Sequence, residues 1–86
     1  MKRPDPRSFS GKVLLFSPID SRHKPTSAQR PAAGLVIQYE DEGYFLFSCD
    51  ANWEVFADTW HETLEEAKEA AEADYEGVSA TWEKFS

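Results

Sequence analysis

All five prolines of this 86-residue chain, Pro4, Pro6, Pro18, Pro25 and Pro31, fall within its first 31 residues. Proline locks φ and has no amide donor, so it interrupts helices and is poorly suited to a central strand. The first third is therefore expected to be mainly loop with at most one short strand, and any helix belongs to the remainder. Charge divides at the same place. Residues 1–33 carry seven Lys or Arg against Asp5 and Asp20, a balance of +5, whereas residues 34–86 carry Lys68 and Lys84 against fourteen acids, a balance of −12. A chain of this length has room for one domain. It reads as 1–86 with a proline-rich basic arm, 1–33, and an acidic core, 34–86.

Local patterns place the elements. Lys12 to Phe16 is expected as a strand, opened by Gly11 and stopped by Ser17-Pro18, and Ile19 to Ala33 as a polar, aperiodic connection of unusual length. Leu35 to Glu40 and Tyr44 to Cys49 are apolar and aromatic runs joined by a short acidic loop. That is a hairpin signal, with Gly43 expected to supply the positive φ. Asp50-Ala51-Asn52 reads as a turn. Trp53 to Ala57 reads as the third strand of a meander, with Trp53, Val55 and Ala57 on one face.

Thr63-Leu64-Glu65-Glu66 fits a capping box, and Leu64, Ala67, Ala71, Tyr75 and Val78 follow at helical spacing. Gly77 is expected to close this helix. Val78, Ala80 and Trp82 alternate with Ser79, Thr81 and Glu83, as in a short last strand. The predicted class is α+β: an antiparallel sheet of about four strands with one helix packed on it, in the order β-β-β-β-α-β.

The residues that usually carry chemistry are sparse. A single cysteine, Cys49, excludes an internal disulfide framework and a four-thiolate zinc site, and points to a reducing compartment. The apolar run Val13 to Phe16 is shorter than the core of a signal peptide, and nothing approaches a membrane span, so a cytoplasmic protein without a membrane role is expected. Cys49 with His61 or His23 would be the conceivable nucleophile and base. No spacing supports that pair, and a strand-end cysteine among aromatics reads as a small buried apolar residue. His61 reads as a surface or capping residue, and no ligand spacing for a metal exists. Glu40, Asp41 and Glu42 read as a solvated turn. Neither an enzyme activity nor a cofactor is expected.

Charge is the remaining functional signal. Glu65, Glu69, Glu72 and Glu76 recur at spacings of four, three and four, so they line one side of the predicted helix. Such a line is either a solubilising face or a negative surface matched to a basic protein. Asp74 and Glu76 oppose the helix dipole at its last turn, each at a cost of about 0.3–1 kcal/mol, with Lys68 and Glu72 as the compensating pair. The leading expectation is a non-enzymatic protein-interaction domain, of the inhibitor or immunity kind, that binds a basic partner. The alternative is a nucleic-acid-associated module in which Arg22, Lys24 and Arg30 of the basic loop meet phosphates. That loop lacks interleaved aromatics, and the acidic remainder repels nucleic acid. The arm can equally complement the acidic core of its own chain.

The stretch from Asp58 to Gly77, with Asp58-Thr59 followed by Thr63-Leu64-Glu65-Glu66-Ala67-Lys68, resembles the strand-to-helix passage of HicB-type antitoxins. It is also similar to small bacterial domains with a Trp soon after the helix, as Trp82 is here. The resemblance covers about twenty residues and implies a sheet-plus-helix shape and, through the antitoxins, a regulatory role.

Overall fold

The computed structural model describes Pro4, Phe9 and residues 11–20, 23–25 and 32–84. Its centre is the hairpin of β3 (Gly34–Glu40) and β4 (Gly43–Cys49), which are in register from Gly34 opposite Cys49 to Glu40 opposite Gly43. The connection is two residues long, and both Asp41 (φ 57°) and Glu42 (φ 59°) are left-handed. A type I′ two-residue loop, whose twist matches that of its strands, needs positive φ at both central positions. The positive φ expected at Gly43 therefore sits on the two acids before it. Gly43 is a strand residue, and a Cβ there would collide with the indole of Trp60.

After β4 the chain turns on Asp50, whose Oδ1 accepts the amides of Asn52 (2.8 Å) and Glu54 (3.0 Å). Trp53 lies within this turn, with φ 61°, and is not the start of a strand. The third strand of the meander is β5 (Val55–His61), displaced towards the helix relative to the expected Trp53 to Ala57. Val55 pairs with Cys49 and Ala57 with Ser48, so Phe56 is an extra, bulged residue. A bulge sets two residues against one, which puts Val55 and Ala57 on opposite faces.

On the other side of the hairpin, β1 (Lys12–Pro18) pairs antiparallel with β3. A second bulge, at Leu14, falls between the Val13–Gln38 and Leu15–Ile37 pairs.

The helix, α1 (Leu64–Asp74), starts where the capping box places it: the Glu66 amide donates to Thr63 Oγ1 at 3.1 Å. The Glu66 carboxylate accepts the Glu62 amide (3.3 Å), one residue ahead of the expected partner. The chain leaves α1 as extended backbone at Tyr75, and β6 (Tyr75–Glu76) pairs with β2 (Lys24–Pro25), a short strand inside the segment expected to be aperiodic. Gly77 does take the left-handed conformation (φ 101°), but it introduces a 3-10 turn over Val78–Ala80. That turn stands where alternation suggested a strand. Val78 is fully buried, which fits either structure, while the short pairing falls later, in β7 (Glu83–Lys84) against β1.

The result is α+β: a five-stranded antiparallel sheet in the order β5-β4-β3-β1-β7, a two-stranded β2-β6 ribbon, and one helix on the sheet. Each sheet face has its own core. On the helix side Leu35, Ile37 and Leu46 meet Ala67 and Ala71, whose short side chains let α1 lie close. The Tyr75 hydroxyl, in the same core, accepts the Ala32 amide at 2.7 Å. On the other side Val13, Phe16, Val36 and Cys49 are covered by Phe9 and Trp53. Gln38, fully buried there, accepts the Gly11 amide (3.2 Å) and donates to Glu40 (3.2 Å), so its side-chain amide is satisfied at both ends.

Candidate functional site

The basic arm meets the acidic core at a specific place. Lys24 in β2 lies opposite Glu76 in β6, next to the Pro25–Tyr75 pair. Just before β2, His23 is buried, and its Nδ1 accepts the Asp20 amide at 3.1 Å. That bond leaves the Nε2 proton to donate to Thr81 Oγ1 (2.9 Å), which is 2.7 Å from Ser17 Oγ, and Ser17 Oγ donates to the Pro18 carbonyl (2.9 Å). Each hydroxyl also reaches a backbone carbonyl, Ser17 Oγ that of Pro18 and Thr81 Oγ1 that of Val78 (3.1 Å), so the cluster is anchored to the backbone on both sides. A serine, a threonine and a histidine are thus brought together, but they are sealed from substrate, with Ser17 fully buried. The cluster ties β1 and the arm to the segment after the helix. Arg22 and Arg30, the other basic-loop candidates, lie outside the described residues.

Cys49 is also sealed. Burial, assisted by the Asp50 carboxylate, pushes its thiol up to about 12, so no thiolate forms near neutrality. His61 is at the far end of the β4–β5 ladder, opposite Tyr44, with Nε2 2.8 Å from Thr59 Oγ1. The antiparallel register therefore separates the two residues that a thiol–imidazole pair would need. Among the described residues no group of three His, Cys, Asp or Glu side chains is placed to hold a metal ion, and no helix is long and apolar enough to cross a membrane.

The four glutamates of the predicted helix face have different fates. Glu65 and Glu69 are exposed and, at about 100° per residue, project from the side of α1 opposite Ala67 and Ala71. Glu72 is committed elsewhere. Its two carboxylate oxygens accept the amides of Gly77 (2.8 Å) and Ser79 (3.0 Å), and these bonds hold its carboxyl below the usual range. It caps the 3-10 turn after the helix instead of pairing with Lys68, which lines a groove against β1. Glu76 lies beyond α1, in β6. The acid at the end of the helix is thus partly a capping device for the next turn.

The larger unclaimed surface is one that patterning along the chain did not single out. Strand β5 forms an edge of the sheet, and most of its residues are exposed. Trp60 is 46% exposed and Val55 43%. Both stand on the face away from the helix, beside Phe45 and Phe47, whose rings stack in parallel at 5.7 Å. Exposed acids (Glu54, Asp58 and Glu62) punctuate the same strip. Its sequence signal was the aromatic spacing Phe45, Phe47 and Trp60, which pattern alone assigns equally well to a core. An edge strand carries a row of backbone donors and acceptors suited to adding another strand; this one has neither Lys nor Pro, and beyond the bulge at Phe56 its residues 57–61 run in regular register with β4.

No family model matches the chain, nor does any curated protein or solved structure, so the similarity of residues 58–77 to HicB-type antitoxins rests on those residues alone.

Proposed function

We propose that this chain is a non-enzymatic protein-interaction domain of the inhibitor or immunity kind, which engages a basic partner along the β5 edge and the neighbouring acidic surface. The observation that carries this reading is the open edge strand itself. Seven residues of edge backbone lie next to exposed Val55 and Trp60, with Glu54, Asp58 and Glu62 on the same strip and Glu65 and Glu69 on the helix. Strand addition would supply main-chain hydrogen bonds, Trp60 and Val55 an apolar anchor, and the carboxylates the fast, oriented encounter that opposite charge provides.

Co-purification from the native host, followed by binding measurements with the isolated partner, tests it. Binding should weaken as salt rises, and Glu65→Lys with Glu69→Lys should lower the association rate. Trp60→Ala should accelerate dissociation, because an apolar anchor acts after encounter. A chain that remains strictly monomeric, with no salt-sensitive partner, would count against the reading. So would a partner indifferent to all three substitutions.

A further inference from the structure

The lysines whose side chains are described are Lys12, Lys68 and Lys84, and all three line one groove. They come from β1, α1 and β7. Lys68 and Lys84 are the only Lys or Arg residues of the acidic core, so their convergence is notable in a chain of net charge −7. The rest of the lining is apolar: Val13, Leu14, Leu15 and Leu64. The volume is about 410 Å³, within the range of small-molecule sites.

Each contributor is held by something already described. The β1 bulge leaves Leu14 without a partner on β3 and redirects the strand locally. Leu15 pairs with Lys84 across the β1–β7 ladder. Leu64 and Lys68 lie one helical turn apart, so they share a side of α1. Glu72, one turn further on, directs its two oxygens to the amides of Gly77 and Ser79 rather than to Lys68.

Three like charges around one cleft repel one another, a repulsion that solvent screens at the exposed Lys12 and Lys84. The arrangement is relieved by a negative ligand. Inorganic phosphate would leave the leucines unused, and a neutral apolar molecule would leave the ammonium groups unused. Lysine stems can extend the apolar wall while their charged ends stay at the rim. We propose that this groove binds a small amphipathic carboxylate, with its aliphatic tail along Leu14, Leu15 and Leu64 and its carboxylate among Lys12, Lys68 and Lys84.

Titrating the full chain with octanoate, below its micelle concentration and at low salt, tests this through backbone amide shifts. Saturable shifts are expected at residues 12–15, Leu64, Lys68 and Lys84. Acetate and inorganic phosphate should give none at equal concentration. In Lys68→Gln/Lys84→Gln the dissociation constant should rise about tenfold, the equivalent of roughly 1.4 kcal/mol. Lys12→Gln, a single change at an exposed position, provides the same test should the double variant fail to fold. Shifts that do not saturate, that map elsewhere, or that survive the lysine substitutions overturn the proposal. Groove shifts produced by an acidic leucine-containing peptide, with octanoate inert, also overturn it in favour of a macromolecular ligand.

Discussion

At each end of the sheet face that α1 leaves uncovered, a tryptophan lies over a glycine. Trp53 covers Gly34 at one end and Trp60 covers Gly43 at the other, and in both a Cβ on the glycine would run into the indole. The surroundings differ. Trp53 is 7% exposed, meets Phe16 edge-on at 6.0 Å, and closes the core that contains Cys49. Trp60 is 46% exposed on an edge strand. One local device thus closes a core at one end and leaves a large aromatic surface in water at the other. An exposed tryptophan is more informative than a buried one, because folding alone does not account for it.

The contrast is broken most severely at the chemistry of Cys49. With its thiol pushed up to about 12, the native protein should resist a disulfide reagent at pH 8, while the urea-unfolded chain reacts readily. A suppression on the order of a thousandfold follows from the missing thiolate. The sign for stability also follows. The folded thiol titrates above the unfolded one, so its contribution is complete below pH 9 and is lost as pH rises from 9 towards 12. Rapid native-state labelling would mean that the Trp53 end is open.

Next in size are the tryptophans themselves. Trp53→Ala should cost about 3–5 kcal/mol in urea unfolding, as large-to-small changes in a core do. Trp60→Ala should cost about 1 kcal/mol or less, since solvent already reaches much of its ring. The glycines repeat the contrast more gently. Gly34→Ala should cost about 1–3 kcal/mol, because the confined Trp53 ring cannot retreat. Gly43→Ala should cost less, with Trp60 swinging outward and its fluorescence shifting to the red. Equal costs at the two ends would erase the distinction.

The hairpin at the open end holds a smaller reserve. Glu42 is left-handed at φ 59°, a conformation glycine adopts without penalty. Glu42→Gly should therefore stabilise the protein, by about 1 kcal/mol, measurable as a raised denaturation midpoint.

How far these features could be read from the sequence depended on the range of the interactions involved. The capping box at Thr63 and the pairing of residues 34–40 with 43–49 are local, so they were legible along the chain. The misplaced positive φ arose because Gly43 suggests a turn residue, while its actual constraint is the indole of Trp60, seventeen residues away. The bulge at Phe56 upset the face assignment of Val55 and Ala57, since one inserted residue reverses an alternation. Val78, Ala80 and Trp82 alternate as a strand would, yet Glu72 holds the amides of Gly77 and Ser79 and the chain coils there instead. Of the candidate surfaces, the acidic helix face was visible as spacing. The lysine groove was not, because Lys12 and Lys84 are brought together only when β7 closes against β1.

The division between committed and available groups also runs along the helix, and there it predicts the smallest effect. Glu69 is exposed, whereas Glu72 accepts two backbone amides. Those bonds are stronger to the ionised carboxylate, and its pKa is lowered accordingly. Stability from Glu72 is therefore fully present above the ordinary glutamate pKa and fades as pH falls through the lower folded value. Glu72→Gln should lower the melting temperature at pH 7 modestly, because an amide oxygen still accepts, though more weakly and at one atom. The gap from the unsubstituted protein should close as acid protonates Glu72 itself. Glu69→Gln should leave the melting temperature unchanged at both pH values. If the two substitutions behave alike across that titration, the capping role of Glu72 fails and it rejoins Glu65 and Glu69 as surface charge. If they diverge as expected, a basic partner would have Glu65 and Glu69, but not Glu72, available on this helix.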